Sequence, residues 1–239
     1  MNPTAAALVI GDEILSGRTR DSNLHFLAGE LARVGIDLRE ARVVPDVHGR
    51  IVEAVRALLA GHDHVFTSGG IGPTHDDVTA DAVAEALGAS IAVREDARLL
   101  LQAHYDRQGI ALNEARLRMA RIPEGAALID NPVSAAPGFS LGRVHVMAGV
   151  PRIFEAMVAS LLPRLTGGTP LLSQSLRILR GEGEIAGPLA ALAAEFPDLL
   201  MGSYPFQKAG AHGATVVVRG PDGARVGEAV ARLAALFPP

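Results

Sequence analysis

The densest group of residues able to do chemistry runs Ser68-Gly69-Gly70-Ile71-Gly72-Pro73-Thr74-His75-Asp76-Asp77. Gly69, Gly70 and Gly72 can take positive φ or admit a ligand close to the backbone, which presents amide N–H groups to an anion. Thr67, Ser68 and Thr74 would add hydroxyl donors, with Pro73 stiffening the turn, so the group reads as a phosphate cradle. It has neither the Gly-Lys-Ser/Thr ending of a Walker loop nor the spacing of the dinucleotide fingerprint. The simpler alternative is a tight strand-to-helix turn in which Asp76 or Asp77 caps the helix starting near Val78.

Two carboxylates beside a phosphate repel it unless a cation or shared protons intervene. Mg²⁺ or another divalent metal on Asp46, Asp76 and Asp77, completed by Asp12 or Glu13 and by substrate phosphates, would reconcile the two features. Each acid also has a plainer reading: Asp12 and Glu13 as a solvated turn, Asp46 as a cap on the helix after it. Asn23, one residue past the expected N-cap Ser22, could hydrogen-bond a ligand. His75 reads as a solvent-exposed histidine, and His62 and His64 as a satisfied surface pair without the third ligand a metal needs. Arg116, Arg118 and Arg121 read as the solvated face of a helix.

The elements that must hold these residues follow from apolar periodicity. Strands are predicted over 5–10, 36–44 and 65–67, and helices over 22–34, 49–59 and 78–87. This alternation calls for an α/β fold, a parallel sheet covered on both faces. In such sheets ligands bind beyond the carboxyl ends of the strands, where loops meet helix N-termini. Gly11, Asp12 and Glu13 follow the first strand, Pro45 and Asp46 the second, and Ser68–Asp77 the third. Later strands at 127–129 and 144–147 bring the Asn131–Gly138 stretch and Gly149-Val150-Pro151 to the same edge, which adds Ser134, Pro137 and Gly138 to the candidate ligand contacts. Helices over 96–108 and 113–121 form an insertion, and a helix over 152–165 closes the unit. Turn residues at 166–170 then mark a linker. Beyond it, a strand at 173–180, a helix at 184–195, strands at 199–204 and 215–219 and a helix at 223–236 give a small α+β unit. The expected domains are 1–166 and 171–239.

Composition narrows the partners. With 49% hydrophobic, 4% aromatic and no Trp residues among 239, the core must be aliphatic. A formal net charge of -4 offers no basic field for a nucleic acid. No Cys means no disulfide and no thiolate metal site, as in a reducing compartment. The first ten residues lack the basic region of a signal peptide, and no apolar run reaches the roughly 20 residues of a membrane span. A cytoplasmic protein with no membrane partner is expected.

At these loops the sequence resembles the molybdopterin-binding domain family of the MoaB and Mog proteins, and within it the CinA branch. The matching segments are Gly11-Asp12-Glu13-Ile14-Leu15-Ser16-Gly17 with Asp21 and Asn23, Thr67 to Thr79, Asn131 to Phe139, and Gly149-Val150-Pro151. The tail, with Gly202-Ser203-Tyr204-Pro205, resembles the region after the molybdopterin-binding-like domain of eukaryotic FAD synthetase. The resemblance implies a three-layer α/β/α domain with a mostly parallel sheet that assembles into homo-oligomers and binds a nucleotide or pterin such as molybdopterin. It places the two essential aspartates of the Mog branch, which adenylylates molybdopterin with ATP and Mg²⁺, on Asp46 and Asp77. In the CinA branch and its FAD synthetase relatives it implies hydrolysis of nucleotide pyrophosphates such as ADP-ribose or FAD. The chain departs from the CinA pattern at Ala148, where a proline is usual, and at Ile153-Phe154, where Glu-Met is usual. The leading expectation is therefore a metal-dependent nucleotide pyrophosphatase, with molybdopterin adenylyl transfer and a non-catalytic binding module as alternatives.

Overall fold

A computed structural model of the chain describes residues 2–208 and 211–238. The chain divides into two compact units, Met1–Gly168 and Thr169–Pro239. In the first, the strands are Thr4–Ile10 (β1), Asp37–Val44 (β2), His64–Ser68 (β3), Ile91–Val93 (β4), Arg121–Pro123 (β5), Ala127–Ile129 (β6), Gly138–Leu141 (β7) and Val144–Met147 (β8). The helices are Asp12–Leu15 (α1), Asn23–Arg33 (α2), His48–Gly61 (α3), Thr79–Leu87 (α4), Glu95–Arg107 (α5), Glu114–Leu117 (α6) and Pro151–Leu161 (α7).

Six strands form the central sheet in the order β2-β1-β3-β8-β7-β6. The first four are parallel, and β7 runs antiparallel to both its neighbours. Strand side chains alternate between faces, and β1 shows what this does here. Ala6, Leu8 and Ile10 pack with Ile51, Val55 and Leu58 of α3 and Val83 of α4. Ala5 and Ala7 pack on the opposite side with Leu27 and Leu31 of α2 and Phe154, Met157 and Leu161 of α7. Helices therefore cover both faces, and the expected three-layer α/β/α architecture is present. Burying each large aliphatic side chain in these two cores contributes roughly 1.5–3 kcal/mol.

Three local expectations are corrected. The helix expected over 113–121 stops as α6 and passes through a 3-10 turn at Arg118–Ala120 into β5. Pro123 disfavours helical geometry at Ile122, and β5 instead pairs antiparallel with β4, a strand the apolar pattern did not mark. Its arginines are consequently not one solvated face: Arg116 lies over the Tyr105 ring, Arg118 donates to the Asp77 carbonyl at 3.5 Å, and Arg121 is ion-paired with Asp81. The expected cap Ser22 makes no side-chain cap bond, and Asp21 instead accepts from the Leu24 amide at 2.9 Å.

The second unit is a three-stranded antiparallel sheet with two helices. Its elements are Leu172–Ile178 (β9), Glu182–Glu195 (α8), Leu200–Lys208 (β10), Ala211–Gly220 (β11) and Gly223–Leu236 (α9), with strand order β10-β11-β9. Ile185 and Leu192 of α8 and Val226, Ala229 and Leu233 of α9 bury one face of that sheet. Asp222 caps α9, accepting from the Ala224 amide at 2.8 Å. Among the described residues no helix is long and apolar enough to cross a membrane.

Candidate functional site

β1, β3 and β8 are adjacent and parallel, so the chain segments leaving Ile10, Ser68 and Met147 emerge at one end of the sheet. They pack against one another there. The Gly69 amide donates to the Met147 carbonyl at 3.1 Å. Gly69 has φ +111, and a Cβ on it would lie 2.2 Å from the Ile10 carbonyl oxygen. Gly70, at φ +69, would put a Cβ 2.1 Å from the Thr79 hydroxyl and 3.6 Å from Asp46 Oδ1. These glycines thus serve backbone packing. Past Gly69, the amides of Gly70, Ile71 and Gly72 donate to no other backbone group among the described residues.

The loops enclose a cleft of about 570 Å³, a size typical of sites for small organic ligands. Its polar wall includes the expected Gly69, Gly70, Gly72, Pro73, Asp76, Asp77, Asp46, Glu13 and Ser134, joined by Asn131 and Gly149. Its apolar wall is formed by Ile10, Ile71, Met119, Val150 and Ile153. Pro137 lines a smaller adjoining pocket of about 20 Å³, with Gly72, Asp77, Arg118 and Arg121, room for a single water molecule.

The other expected contacts lie outside the cleft lining, most of them buried. Thr67 and Ser68 are buried in β3, and Ser68 Oγ accepts from Asn23 Nδ2 at 2.8 Å. Asn23 also donates to the Gly149 carbonyl at 2.7 Å, tying α2 to two of the cleft loops. A Cβ on Gly138 would meet the Val146 carbonyl oxygen at 2.4 Å, so that glycine serves strand packing. Gly11 donates to the Val44 carbonyl at 3.1 Å, and the Glu13 carboxylate folds back against it. The Thr74 hydroxyl is engaged by its own loop, within 2.5 Å of Asp76 Oδ1 and 2.6 Å of Asp77 Oδ2. Asn131 organises its own turn, accepting from the Val133 and Ser134 amides and donating to Ser134 Oγ and the Ala136 carbonyl. Within that turn Ala135 is held at φ 60, a strained conformation of the kind that collects at functional sites.

The acids do not act as caps of the helices that follow them. Asp46 accepts from the Asp12 amide at 2.9 Å, so it caps α1 across 34 positions and leaves α3 without a side-chain cap. Asp77 accepts from the Thr74 amide at 2.8 Å, and α4 has no side-chain cap either. Burial raises the Asp46 pKa above the ordinary carboxylate range. The Asp12 amide opposes this, and the charges of Glu13, Asp12 and Asp76 add to the rise. Asp76 is held below that range by its Thr74 hydrogen bond. Among the described residues no three His, Cys, Asp or Glu side chains converge to hold a metal ion. Asp46, Asp76 and Asp77 are therefore no preassembled cage, because Asp76 and Asp77 are turned onto Thr74 and Asp46 onto α1. One or two of these carboxylates, with ligand phosphates supplying the remaining oxygens, still fit the hard-oxygen preference of Mg²⁺.

The histidine readings fare unequally. The His75 side chain is 98% exposed, as expected. His62 bonds the Leu58 carbonyl at 2.9 Å, but His64 turns away from it to His145, Nδ1 to Nε2 at 3.0 Å. Arg18, Thr19 and Met119 line the cleft without having been singled out. The first two sit in an exposed turn and the third among arginines in the 3-10 turn Arg118–Ala120, so none of the three carried a local signal.

Comparison with known proteins agrees with this geometry. Residues 6–167 match the family model described as probable molybdopterin binding domain, and residues 170–239 match that of the FAD synthase middle domain. A protein of Pyrobaculum calidifontis is 37% identical over 213 residues, covering 85% of this chain and 81% of its own length. The crystal structure of CinA from Thermoplasma acidophilum superposes with a TM-score of 0.63 at 35% identity, covering 67% of this chain and 98% of that one. The molybdopterin biosynthesis enzyme MoaB of Thermus thermophilus matches at 20% identity with a TM-score of 0.46, covering 68% of this chain and 91% of that one. With its glycine-lined cleft at the end of a mostly parallel sheet, the chain belongs to the molybdopterin-binding domain family and is similar to its CinA members.

Proposed function

We propose that the cleft binds a nucleotide and hydrolyses its pyrophosphate, with a ligand of the ADP-ribose or FAD type. The supporting observation is that the amides of Gly70, Ile71 and Gly72, unpaired among the described residues, share one cleft with Asp46, Asp76 and Asp77. The amides would hold phosphate oxygens, and the apolar wall from Ile71 to Ile153 would take the ring of the base. Asp46 or Asp77 would orient the attacking water and accept its proton. Water attacks one phosphorus, the bridging P–O bond breaks, and AMP leaves with the second monophosphate. A divalent ion bound by Asp46 or Asp77 and the phosphates would offset the carboxylate charge and polarise the phosphoryl oxygens.

The test is AMP release from FAD and ADP-ribose with Mg²⁺, Mn²⁺ or chelator. Asp77→Asn should lower release by about 100-fold or more, the scale at which loss of a positioned acid–base group acts. No release by the native chain, or equal release by Asp77→Asn, overturns hydrolysis. One observation favours a second reading. Ile153 lines the cleft at the position where CinA-type sequences carry glutamate, so the wall lacks that carboxylate. Tight nucleotide or pterin binding without turnover across the metal series would establish a binding module instead. ATP-dependent formation of adenylylated molybdopterin would establish a transferase.

A further inference from the structure

Resting on the reading of the cleft as a phosphate site, we propose that Arg18 is the residue by which it distinguishes phosphorylated ligands from uncharged ones. The cleft wall carries the carboxylates Glu13, Asp46, Asp76 and Asp77, and among the described residues Arg18 is the one arginine or lysine that lines it. Amides alone give direction to an anion but little net charge against four carboxylates. A guanidinium supplies both charge and a fork of donors matched to phosphate oxygens.

Arg18 is also uncommitted. Arg39, Arg94, Arg121 and Arg164 of the same unit are all held in ion pairs. Arg18 forms none within 4.0 Å among the described residues, although four acids line the same cleft. Its backbone is fixed nonetheless. The Gly17 amide donates to the Ile14 carbonyl at 3.1 Å and the Thr19 amide to the Glu13 carbonyl at 3.0 Å, so both flanking residues are pinned to α1. A fixed base with a free guanidinium suits ligand capture, because no existing pair must break. Arg118 lies outside the cleft lining and is turned onto the Asp77 carbonyl. Arg20, two residues from Arg18, is exposed and lies outside the cleft lining.

The experiment is calorimetric titration of the full chain with inorganic pyrophosphate, ADP-ribose as its non-hydrolysable α,β-methylene analogue, and uncharged adenosine, in the presence of Mg²⁺. Arg18→Ala should weaken pyrophosphate and ADP-ribose by about 10- to 100-fold, the usual range for losing a charged hydrogen-bond donor, while leaving adenosine unchanged. Arg18→Lys should recover part of the loss, and Arg20→Ala should match the native chain. Native-like pyrophosphate binding by Arg18→Ala would overturn the assignment and leave the cleft reading intact. Equal weakening of adenosine would also overturn it, since the effect would then be structural. If the native chain binds neither pyrophosphate nor ADP-ribose, the cleft reading and the assignment fall together.

Discussion

Gly69→Ala is expected to abolish ligand binding and to destabilise the first unit by about 3 kcal/mol or more, the sum of a strained backbone and a buried clash. The added Cβ would stand 2.2 Å from the Ile10 carbonyl oxygen at φ +111. Neither side can move aside. Ile10 ends a strand flanked by β2 and β3, and Gly69 is tied to Met147 on the next strand. Its neighbour Gly149 is also packed against it, though less tightly, since a Cβ there would lie 3.2 Å from Gly69 Cα. Any relief must therefore displace the amides that follow Gly69, which the proposed function assigns to the phosphate. Gly142→Ala is the matched control, with φ +57 and nothing within 4 Å of the added carbon. It should cost only about 1 kcal/mol, the backbone term alone. Thermal melts should separate the two variants by several degrees, at roughly 2–4 °C per kcal/mol for a unit of this size. A Gly69→Ala protein that melts with the native chain and binds nucleotide equally would contradict the close packing of the three loops.

The parts of this fold legible from sequence are those where one local pattern decides the outcome. β1 is apolar from Ala5 to Ile10 because both its faces are covered, and α2, α3 and α4 each carry one apolar stripe. The loops then had to meet at the carboxyl edge by topology alone. What escaped depends on pairing between segments rather than on a pattern within one. Gly138–Leu141 is four residues long and becomes β7 through its partners Val144–Met147 and Ala127–Ile129. Arg121 ends a helical pattern in sequence, yet with Ile122 and Pro123 it is claimed by β4. The acids show the same limit more sharply. Asp46 sits where a cap of α3 is expected, yet its acceptor role goes to Asp12. Thr67 and Ser68 precede the glycines and look like donors, but strand burial turns them inward. Arg18 illustrates the opposite failure, since an exposed arginine in a turn acquires meaning only once the cleft beside it is known.

Acid should weaken the first unit before its carboxylates titrate, because of one buried imidazole. His145, on β8, is 2% exposed and hydrogen-bonded at both ring nitrogens, to Ser140 Oγ at 2.8 Å and to His64 at 3.0 Å. Burial, with the charge of His64 second, pushes its pKa down from 6.5 to about 3. His64 is lowered too, mainly by its own burial. Between those two values the unfolded chain binds a proton that the folded chain refuses, so stability rises with pH across the window. The contribution is complete above about 6.5 and is lost progressively as the pH falls toward 3. Its limiting slope is about 1.4 kcal/mol per pH unit, so lowering the pH from 7 to 5 should cost on the order of 2 kcal/mol. Urea midpoints at pH 7, 6 and 5 measure this above the range where ordinary carboxylates protonate. His145→Gln removes the titrating ring, and its midpoints should vary much less with pH even if the variant is less stable throughout. The slope carries the argument rather than the absolute stability, because a packing defect lowers all three midpoints together. Parallel slopes for the native chain and His145→Gln would show that the imidazole protonates in place, and that the contact joining β3, β7 and β8 accommodates its charge.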